Sequence, residues 1–224
     1  IVAGGTGQRM GTALPKQFLA IEGKSILLHT IGQFLTAFWD INFIIVLPAN
    51  YIQEGQALIT ASGLIQSFQF VAGGDTRFQS VKNGLAQADP DAIVFVHDAV
   101  RCLLTPDLIQ RCYQQALEKG SAIPAVSSTD TIRITEGTNH HVVDRANVMM
   151  IQTPQTFNAA LLKKAFEQAY QPSFTDEANV LEASGKEVYL IEGEYENIKI
   201  TRPLDLAIAA YILAKRASKD YSAD

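Results

Sequence analysis

The chain has 224 residues, of which 47% are hydrophobic and 18% are charged. This balance is that of a globular protein, and it excludes an intrinsically disordered chain, which combines few hydrophobic residues with a high net charge. The net charge of −5 excludes a general nucleic-acid binder, because such proteins need a large positive excess. A chain of this length forms a sufficient core without disulfides or a structural metal, so we expect one domain over residues 1–224.

The cysteine count and the apolar stretches indicate in which cellular compartment the protein is expected. Cys102 and Cys112 are the only two cysteines, and neither belongs to a CxxC pair, which indicates a reduced, cytoplasmic protein rather than a secreted disulfide scaffold. The longest apolar stretch near the C-terminus covers residues 206–214, which is much shorter than the roughly 20 residues of a membrane-spanning helix. We therefore expect neither a membrane nor a nucleic acid as a partner.

Short β-branched segments alternate along the chain with segments of helical period. Buried strands are predicted at residues 41–47, 68–72, 92–96, 121–126 and 187–191. Apolar residues at helical spacing predict one helix over residues 26–38 and another after the Thr105-Pro106 start. Alternating strands and helices predict an α/β fold with a doubly wound, mostly parallel, Rossmann-like sheet. In such sheets ligands bind beyond the carboxyl ends of the strands.

One segment interrupts this alternation. Residues 127–145 have period-two character on both sides of a turn-prone stretch at residues 136–139, which predicts an inserted β-hairpin arm. A lone hairpin is only marginally stable unless it packs on another surface. The arm, taken as residues 127–146, is therefore either a local flap or a protruding dimerisation element.

A glycine loop with two cations follows the first strand. It covers residues 3–11 and contains Arg9, and Lys16 comes shortly after it. The dinucleotide fingerprint GxGxxG fails because Met10 stands at its third glycine, and the Walker ending GK[ST] is absent. The free N–H groups of the loop can still wrap a triphosphate, whose charge Arg9 and Lys16 would neutralise. The alternative is a tight turn with two solvated cations.

Two further loops carry unusual residues after strands. Residues 73–81, with the sequence GGDTRFQSV, open a helix for which Thr76 is a candidate N-cap, so this loop is either a helix start or a base pocket. Asp98 ends the strand at residues 92–96, where a carboxylate is a poor core residue and a good ligand for Mg²⁺. A loop cap is the alternative role for Asp98. The neighbouring His97 is interpreted as a structural residue.

The motifs AGGTGQRM and PKQF resemble the signature of sugar-phosphate nucleotidyltransferases. Further motifs follow in order through residues 2–206, and the chain as a whole is similar to the 2-C-methyl-D-erythritol 4-phosphate cytidylyltransferase family of the non-mevalonate isoprenoid pathway. The resemblance implies a homodimeric enzyme that joins CTP to the sugar phosphate and releases pyrophosphate. It also implies Mg²⁺, or another divalent cation, as the cofactor.

The same resemblance implies roles for individual residues. The catalytic cations at the reacting phosphates would be Arg9, Lys16 and Lys199. The nucleotide would be bound by Ala3, Gly4, Gly5, Gly7, Gly74, Asp75, Ser80, Asp98 and Ala99, and Asp98 would also hold the metal. The acceptor would be bound by Thr131, Arg145, Thr153, Thr175 and Lys199, with Arg77 and Arg101 supporting the site. Thr131 and Arg145 would reach from the arm of one subunit into the site of the other.

Several alternatives stay open on the residues alone. Without the resemblance, Arg145 is read as a solvated hairpin charge, and residues 174–178 as an ordinary helix N-terminus. Cys102 also stands where the family usually has a proline. The rival functions are a ribitol 5-phosphate cytidylyltransferase, which shares the glycine loop and the HDAVR and NIK elements, and a catalytically silent nucleotide-binding regulator. A nicotinamide-dependent oxidoreductase is disfavoured by the failed fingerprint.

Overall fold

The computed structural model describes residues 1–4 and 15–220. The strands are β1 (Ala20–Ile21), β2 (Lys24–Ser25), β3 (Phe43–Leu47), β4 (Phe68–Ala72), β5 (Ile93–Val96), β6 (Ser121–Ser127), β7 (Ile132–Glu136), β8 (Asn139–Val143), β9 (Met149–Ile151), β10 (Gln155–Asn158) and β11 (Leu190–Glu192). The helices are α1 (Ile26–Ala37), α2 (Ile52–Ser62), α3 (Arg77–Leu85), α4 (Pro106–Lys119), α5 (Ala159–Ala165), α6 (Glu177–Ala183) and α7 (Pro203–Asp220). Over these ranges, no helix has both the length and the hydrophobicity needed to cross a bilayer.

The central sheet is mostly parallel, as predicted. β3 and β4 pair in parallel, and the N-terminal segment joins them to β5, because Val2 pairs in parallel with both Val46 and Asp98. β10 lies between β5 and β6 and is antiparallel to both. β11 adds to β6 in parallel, while β9 pairs with β6 in the antiparallel sense. The strands β5 and β6 therefore run in the same direction on either side of one reversed strand.

Helices cover both faces of this sheet. On β5, Ile93 and Phe95 pack against the core cluster that contains residues of α1 and α4. Val94 and Val96 belong with the cluster formed by residues of α3, α5 and α6. Successive side chains of a strand point to opposite faces of the sheet, so the two clusters lie on its two sides. The doubly wound arrangement predicted from the sequence is confirmed.

The helix starts follow from their capping residues. The hydroxyl of Thr76 accepts the backbone N–H of Gln79 at 3.0 Å and begins α3. The hydroxyl of Thr105 accepts the N–H of Leu108 at 3.2 Å and begins α4. Gly120, with φ +84°, ends α4 in the left-handed conformation that glycine adopts without strain. Both predicted helix starts are confirmed.

Four strand predictions need correction. The strand predicted to be buried over residues 92–96 begins at Ile93, and only its last residue, Val96, is fully buried. The strand predicted over residues 41–47 begins at Phe43, because the N–H of Ile41 bonds to the carbonyl of Phe38 at 3.4 Å in the turn after α1. The strand predicted over residues 187–191 occupies residues 190–192, where it pairs with β6. β4 was predicted to be buried throughout, but Gln69 and Ala72 are exposed. Among the described residues β4 pairs with β3 alone, so it is an edge strand there, with limited cover.

The predicted hairpin is present in β7 and β8. Five residue pairs join the strands, from Ile132 with Val143 to Glu136 with Asn139. Its two-residue turn contains Gly137, whose φ of +62° suits glycine. The hairpin is shorter than residues 127–145, because Ser127 still belongs to β6 and residues 145–147 form a 3-10 turn.

Candidate active site

A polar cavity of about 300 Å³ opens where the N-terminal segment, β4 and β5 end. Its lining residues are Val2, Ala3, Gly4, Lys16, Gln17, Gly74, Asp75, Thr76, Arg77, Ser80, Asp98, Ala99, Val100 and Lys199. A larger cavity of about 420 Å³ lies between β3 and β5, but its described lining contains no lysine or arginine. An anionic substrate needs cations, so the smaller cavity is the candidate active site.

Asp98 lies at the centre of the charges in this cavity. Asp98 comes two residues after the end of β5, and its side chain is largely buried. Oδ1 is 3.3 Å from Nη2 of Arg77, and Oδ2 is 2.7 Å from Nζ of Lys199. Burial alone would raise the pKa of Asp98, but Arg77 and Lys199 outweigh it and hold that pKa well below its usual range. Asp98 is therefore a carboxylate at any physiological pH.

Arg77 bridges Asp98 to a second buried carboxylate, that of Glu177. Both oxygens of Glu177 accept hydrogen bonds from Arg77, the Nη1–Oε1 bond being short and the Nη2–Oε2 distance 3.0 Å. Burial raises the pKa of Glu177, and the attraction of Arg77 opposes that shift. Burial acts to lower the pKa of Arg77, but the two carboxylates outweigh it and raise that pKa. Both oxygens of Glu177 accept from one guanidinium, which is the geometry of a bidentate bridge between a carboxylate and an arginine.

Sequence reasoning missed Glu177 as a site residue. It was interpreted as part of an ordinary first helical turn, and the structure does place Glu177 there, with Asp176 as the N-cap of α6. The partner of Glu177 is 100 residues away in the chain. No local pattern could have revealed that contact.

His97 and Thr153 fix the backbone at Asp98. His97 is fully buried, and its Nε2 lies 3.1 Å from the carbonyl oxygen of Arg101. Its Nδ1 is 3.0 Å from the hydroxyl of Thr153, which also accepts the backbone N–H of Asp98 at 3.1 Å. Burial lowers the pKa of His97 to about 3, so the ring is neutral. The interpretation of His97 as structural agrees with these contacts, and the Thr153 hydroxyl is directed at the end of β5.

The loop after β4 is closely packed around Ser80. The Ser80 hydroxyl accepts the N–H of Gly74 at 3.1 Å and donates to the carbonyl of Thr76 at 2.9 Å. A Cβ atom on Gly74 would lie 2.2 Å from Cγ of Gln79, and one on Gly73 would lie 3.0 Å from Oγ of Ser80. Glycine is therefore needed at position 74, and the shape of the loop is fixed before any ligand binds.

The segment around Lys199 is fixed by buried polar contacts. Asn197 is fully buried, and its carbonyl oxygen accepts a hydrogen bond from Nη1 of Arg101 at 2.8 Å. Nζ of Lys16 donates to the carbonyl oxygen of Ile200 at 3.3 Å, next to Lys199 in the chain. Lys16 and Lys199 thus converge on one wall of the cavity, and Arg101 supports that wall.

Other predicted residues lie elsewhere. Thr131, Arg145 and Thr175 are exposed, and none of them lines the cavity. Nη1 of Arg145 donates to the backbone carbonyl of Thr129 at 3.1 Å. The predicted residues Gly5, Gly7 and Arg9 lie outside the described residues. The structure thus brings together the nucleotide and cation residues that it describes, but it does not place the arm residues beside them.

Two carboxylates, Asp75 and Asp98, line the cavity, and Asp98 is the largely buried one that lies among the cations. Over residues 1–4 and 15–220, no group of three or more His, Cys, Asp or Glu side chains is arranged to hold a metal ion. Mg²⁺ often takes only one or two protein carboxylates together with substrate phosphates and waters. The ionised Asp98 fits a metal that arrives with the nucleotide.

Comparison with known proteins identifies the family. Residues 1–215 match the IspD family, described as 2-C-methyl-D-erythritol 4-phosphate cytidylyltransferase. A protein of that name from Bacteroides fragilis is 43% identical over 213 residues, which are 95% of this chain and 97% of the relative. One from Clostridium botulinum is 38% identical over 218 residues, with 95% and 97% covered.

Solved structures agree with these relatives. A 4-diphosphocytidyl-2C-methyl-D-erythritol synthase from Anaerococcus prevotii has a TM-score of 0.81 at 25% identity, with 95% of each chain covered. A 2-C-methyl-D-erythritol 4-phosphate cytidylyltransferase from Thermus thermophilus has a TM-score of 0.74 at 30% identity, with 95% of this chain and 96% of that chain covered. The fold, the cavity and the extent of these matches lead to one conclusion: the chain belongs to the 2-C-methyl-D-erythritol 4-phosphate cytidylyltransferase family.

Proposed function

We propose that the protein converts CTP and 2-C-methyl-D-erythritol 4-phosphate to 4-diphosphocytidyl-2-C-methyl-D-erythritol and pyrophosphate, a step of the non-mevalonate isoprenoid pathway. Family membership over nearly the whole chain supports this activity. The observation that carries it is the cavity that Lys16 and Lys199 line together, in which Lys199 pairs with an ionised Asp98. That arrangement suits the transfer of a group between two phosphates.

The reaction needs charge neutralisation more than it needs a base. A phosphate oxygen of the acceptor attacks the α-phosphorus of CTP, and pyrophosphate leaves. The second pKa of a phosphomonoester is about 6, so the nucleophile is already ionised near pH 7. The obstacle is bringing two anions together, and we assign Arg9, Lys16 and Lys199 to that task. Positioning and charge stabilisation then provide the rate enhancement.

We assign the nucleotide to the loops after the first strand and after β4. Backbone groups of Gly4, Gly5 and Gly7 would hold the phosphates, with Ala3 and Ala99 nearby, and those of Gly74 and Asp75 would meet the cytosine together with the Ser80 hydroxyl. The fixed packing of Gly74 on Ser80 supports this assignment. A pocket that hydrogen-bonds an exocyclic amine strongly rejects a base without it, so uracil should be excluded.

We assign Asp98 as the protein ligand of Mg²⁺ or a similar divalent cation. Its ionised state and its place among the cavity residues support this role. When bound, the cation would neutralise charge on the nucleotide phosphates. Arg77 and Lys199 hold the carboxylate in place through Oδ1 and Oδ2.

We also propose a homodimer in which the arm, residues 127–146, completes the acceptor subsite of the other subunit. Thr131 and Arg145 are exposed on this arm and do not line the cavity of their own chain. Ile134 and Val142 on the hairpin are 46% and 54% exposed, and they would be covered by a partner. An arginine at the acceptor phosphate can bind it through two parallel hydrogen bonds.

The remaining acceptor residues would come from the same chain as the nucleotide site. Thr175 is exposed at the start of α6, two residues from Glu177, and we assign it to the acceptor phosphate. Thr153 is buried and its hydroxyl accepts the backbone N–H of Asp98, so it would act by fixing the backbone at that residue. The free thiols of Cys102 and Cys112 support a reducing compartment, for which we propose the cytoplasm.

The test is pyrophosphate release from CTP and Mg²⁺ by the purified protein. Three reactions are compared: with 2-C-methyl-D-erythritol 4-phosphate, with ribitol 5-phosphate and without an acceptor. Release with the first acceptor alone is the expected result. Release with ribitol 5-phosphate alone would keep the chemistry and change the acceptor, and silence in all three would indicate a nucleotide-binding regulator.

A further inference from the structure

Glu177 is a buried acid that the proposed mechanism does not yet use. It lies in the first turn of α6, and its side chain is 1% exposed. Within residues 1–4 and 15–220, its carboxylate accepts hydrogen bonds from Arg77 alone, through both oxygens. A bidentate pair of this kind fixes the plane of the guanidinium as well as its position. Glu177 therefore determines where Arg77 lies.

Arg77 is shared between two carboxylates. Its Nη2 is 3.0 Å from Oε2 of Glu177 and 3.3 Å from Oδ1 of Asp98. Asp98 in turn pairs with Lys199. The four side chains alternate in sign and sum to zero charge. Removing Glu177 would leave Arg77 attracted to Asp98 as its remaining anionic partner among these four residues.

We propose that Glu177 is a positioning residue for the cytidylyl transfer. It holds Arg77 so that the guanidinium orients the carboxylate of Asp98 but does not form a full bidentate pair with it. This inference rests on the proposed function and extends it from the cavity to α6. The carboxylate of Asp98 then stays free enough to serve the nucleotide and its cation. Glu177 itself touches neither the substrates nor the reacting atoms.

The proposal predicts that Glu177→Gln lowers kcat but does not weaken the binding of metal-free CTP. In Glu177→Gln, Arg77 moves closer to Asp98, and kcat falls by about 10- to 100-fold, as is typical when a group that orients a metal-site ligand is lost. The cluster also gains one net positive charge. Metal-free CTP, a polyanion, should therefore bind as tightly as in the wild type or more tightly. A residue needed only for folding would weaken both properties.

The experiment compares Glu177→Gln, Arg77→Gln and the double variant with the wild type. Pyrophosphate release gives kcat and KM, and calorimetry in EDTA gives the Kd for metal-free CTP. Glu182→Gln is the matched control, because Glu182 is exposed on the same helix. We expect the control to remain within about twofold of the wild type in both measurements, because substitutions of exposed residues have small effects.

The double variant decides the route of the effect, including the case in which Glu177→Gln fails to fold. If Glu177 acts through Arg77, the double variant should have the kcat of Arg77→Gln within about threefold, because the two effects do not add. Multiplying losses, an unchanged kcat in Glu177→Gln, or metal-free CTP binding that falls in step with kcat would overturn the proposal. An inactive wild type would instead refute the proposed function.

Discussion

Asp98 and Arg145 represent two regions of the molecule that hold their charges in different ways. Asp98 is largely buried and pairs with Arg77 and Lys199. Arg145 is exposed, and its described hydrogen bond goes to a backbone carbonyl of the same arm. Buried ion pairs are costly to break once one partner is removed, whereas exposed charges contribute little to stability. The charge cluster around Asp98 is thus preorganised within one chain, whereas the charge of Arg145 is exposed to solvent.

The largest effect on activity is expected in the preorganised cavity around Asp98. Lys16→Ala should lower kcat by about 10²–10³, by analogy with the loss of one preorganised donor at a developing charge. Steady-state pyrophosphate release measures this change. Lys215→Ala, on the exposed side of α7, is the control for a lost positive charge. A Lys16→Ala enzyme within threefold of the wild type would remove Lys16 from the catalytic set.

Mixed dimers test whether the two regions meet across subunits. Arg145→Ala and Asp98→Asn should each be nearly inactive alone. After random mixing, half of the dimers carry both variants, and each of these has one intact composite site, so activity should recover to about a quarter of the wild-type value. Activity is measured after subunit exchange has been verified by mass spectrometry. No recovery in verified mixed dimers would contradict the proposed sharing of the site.

The buried region should also show itself in the pH dependence of stability. His97 stays neutral in the fold with a pKa of about 3, whereas the unfolded chain binds a proton near pH 6.5. The unfolded state therefore gains protons first as the pH falls, and stability falls with it. Between pH 7 and pH 5 this costs about 2 kcal/mol. Urea unfolding at the two pH values measures the difference, which His97→Asn should reduce; an equal slope in both proteins would contradict the assignment.

The smallest effect is expected on the stability of the arm. Arg145→Ala should change the free energy of unfolding by no more than about 0.5 kcal/mol, because the residue is exposed and contacts only its own arm in the described structure. The same variant should lose activity, so function and stability separate at this position. Urea unfolding and pyrophosphate release on one preparation make the comparison. A large loss of stability would show that Arg145 has a structural role.

The fold was predictable where burial and hydrophobicity coincide. β6 is a buried, mostly apolar run and was found, but β10 was not predicted, although it lies in the middle of the sheet. Its residues Gln155 and Thr156 are polar and yet are 1% and 0% exposed. Gln155 is satisfied by Asp176, whose carboxylate accepts its Nε2 at 2.9 Å. A hydrophobic pattern cannot reveal a strand whose polar groups are paired internally.

The site was predictable where a motif places a residue at a strand end. Asp98 was identified in this way and Lys199 from the family resemblance of its NIK element, and the structure brings them to 2.7 Å. Glu177 was not, because its role depends on a contact with Arg77 that only the folded chain creates. Thr153 was assigned to the acceptor from its motif, but the direction of its hydroxyl toward Asp98 depends on the packing of His97.

The pairing of β6 with β9 has a consequence for how members of such a family can diverge. Ser127 pairs with Met149, so the chain leaves the sheet and returns to the adjacent strand. Residues 128–148 therefore form a long connection between β6 and β9, and the pairing of these two strands holds its ends together. Each doubling of such a loop costs only about 0.6 kcal/mol in closure entropy. Evolution can therefore lengthen or exchange the hairpin while the sheet around the end of β5 is inherited unchanged.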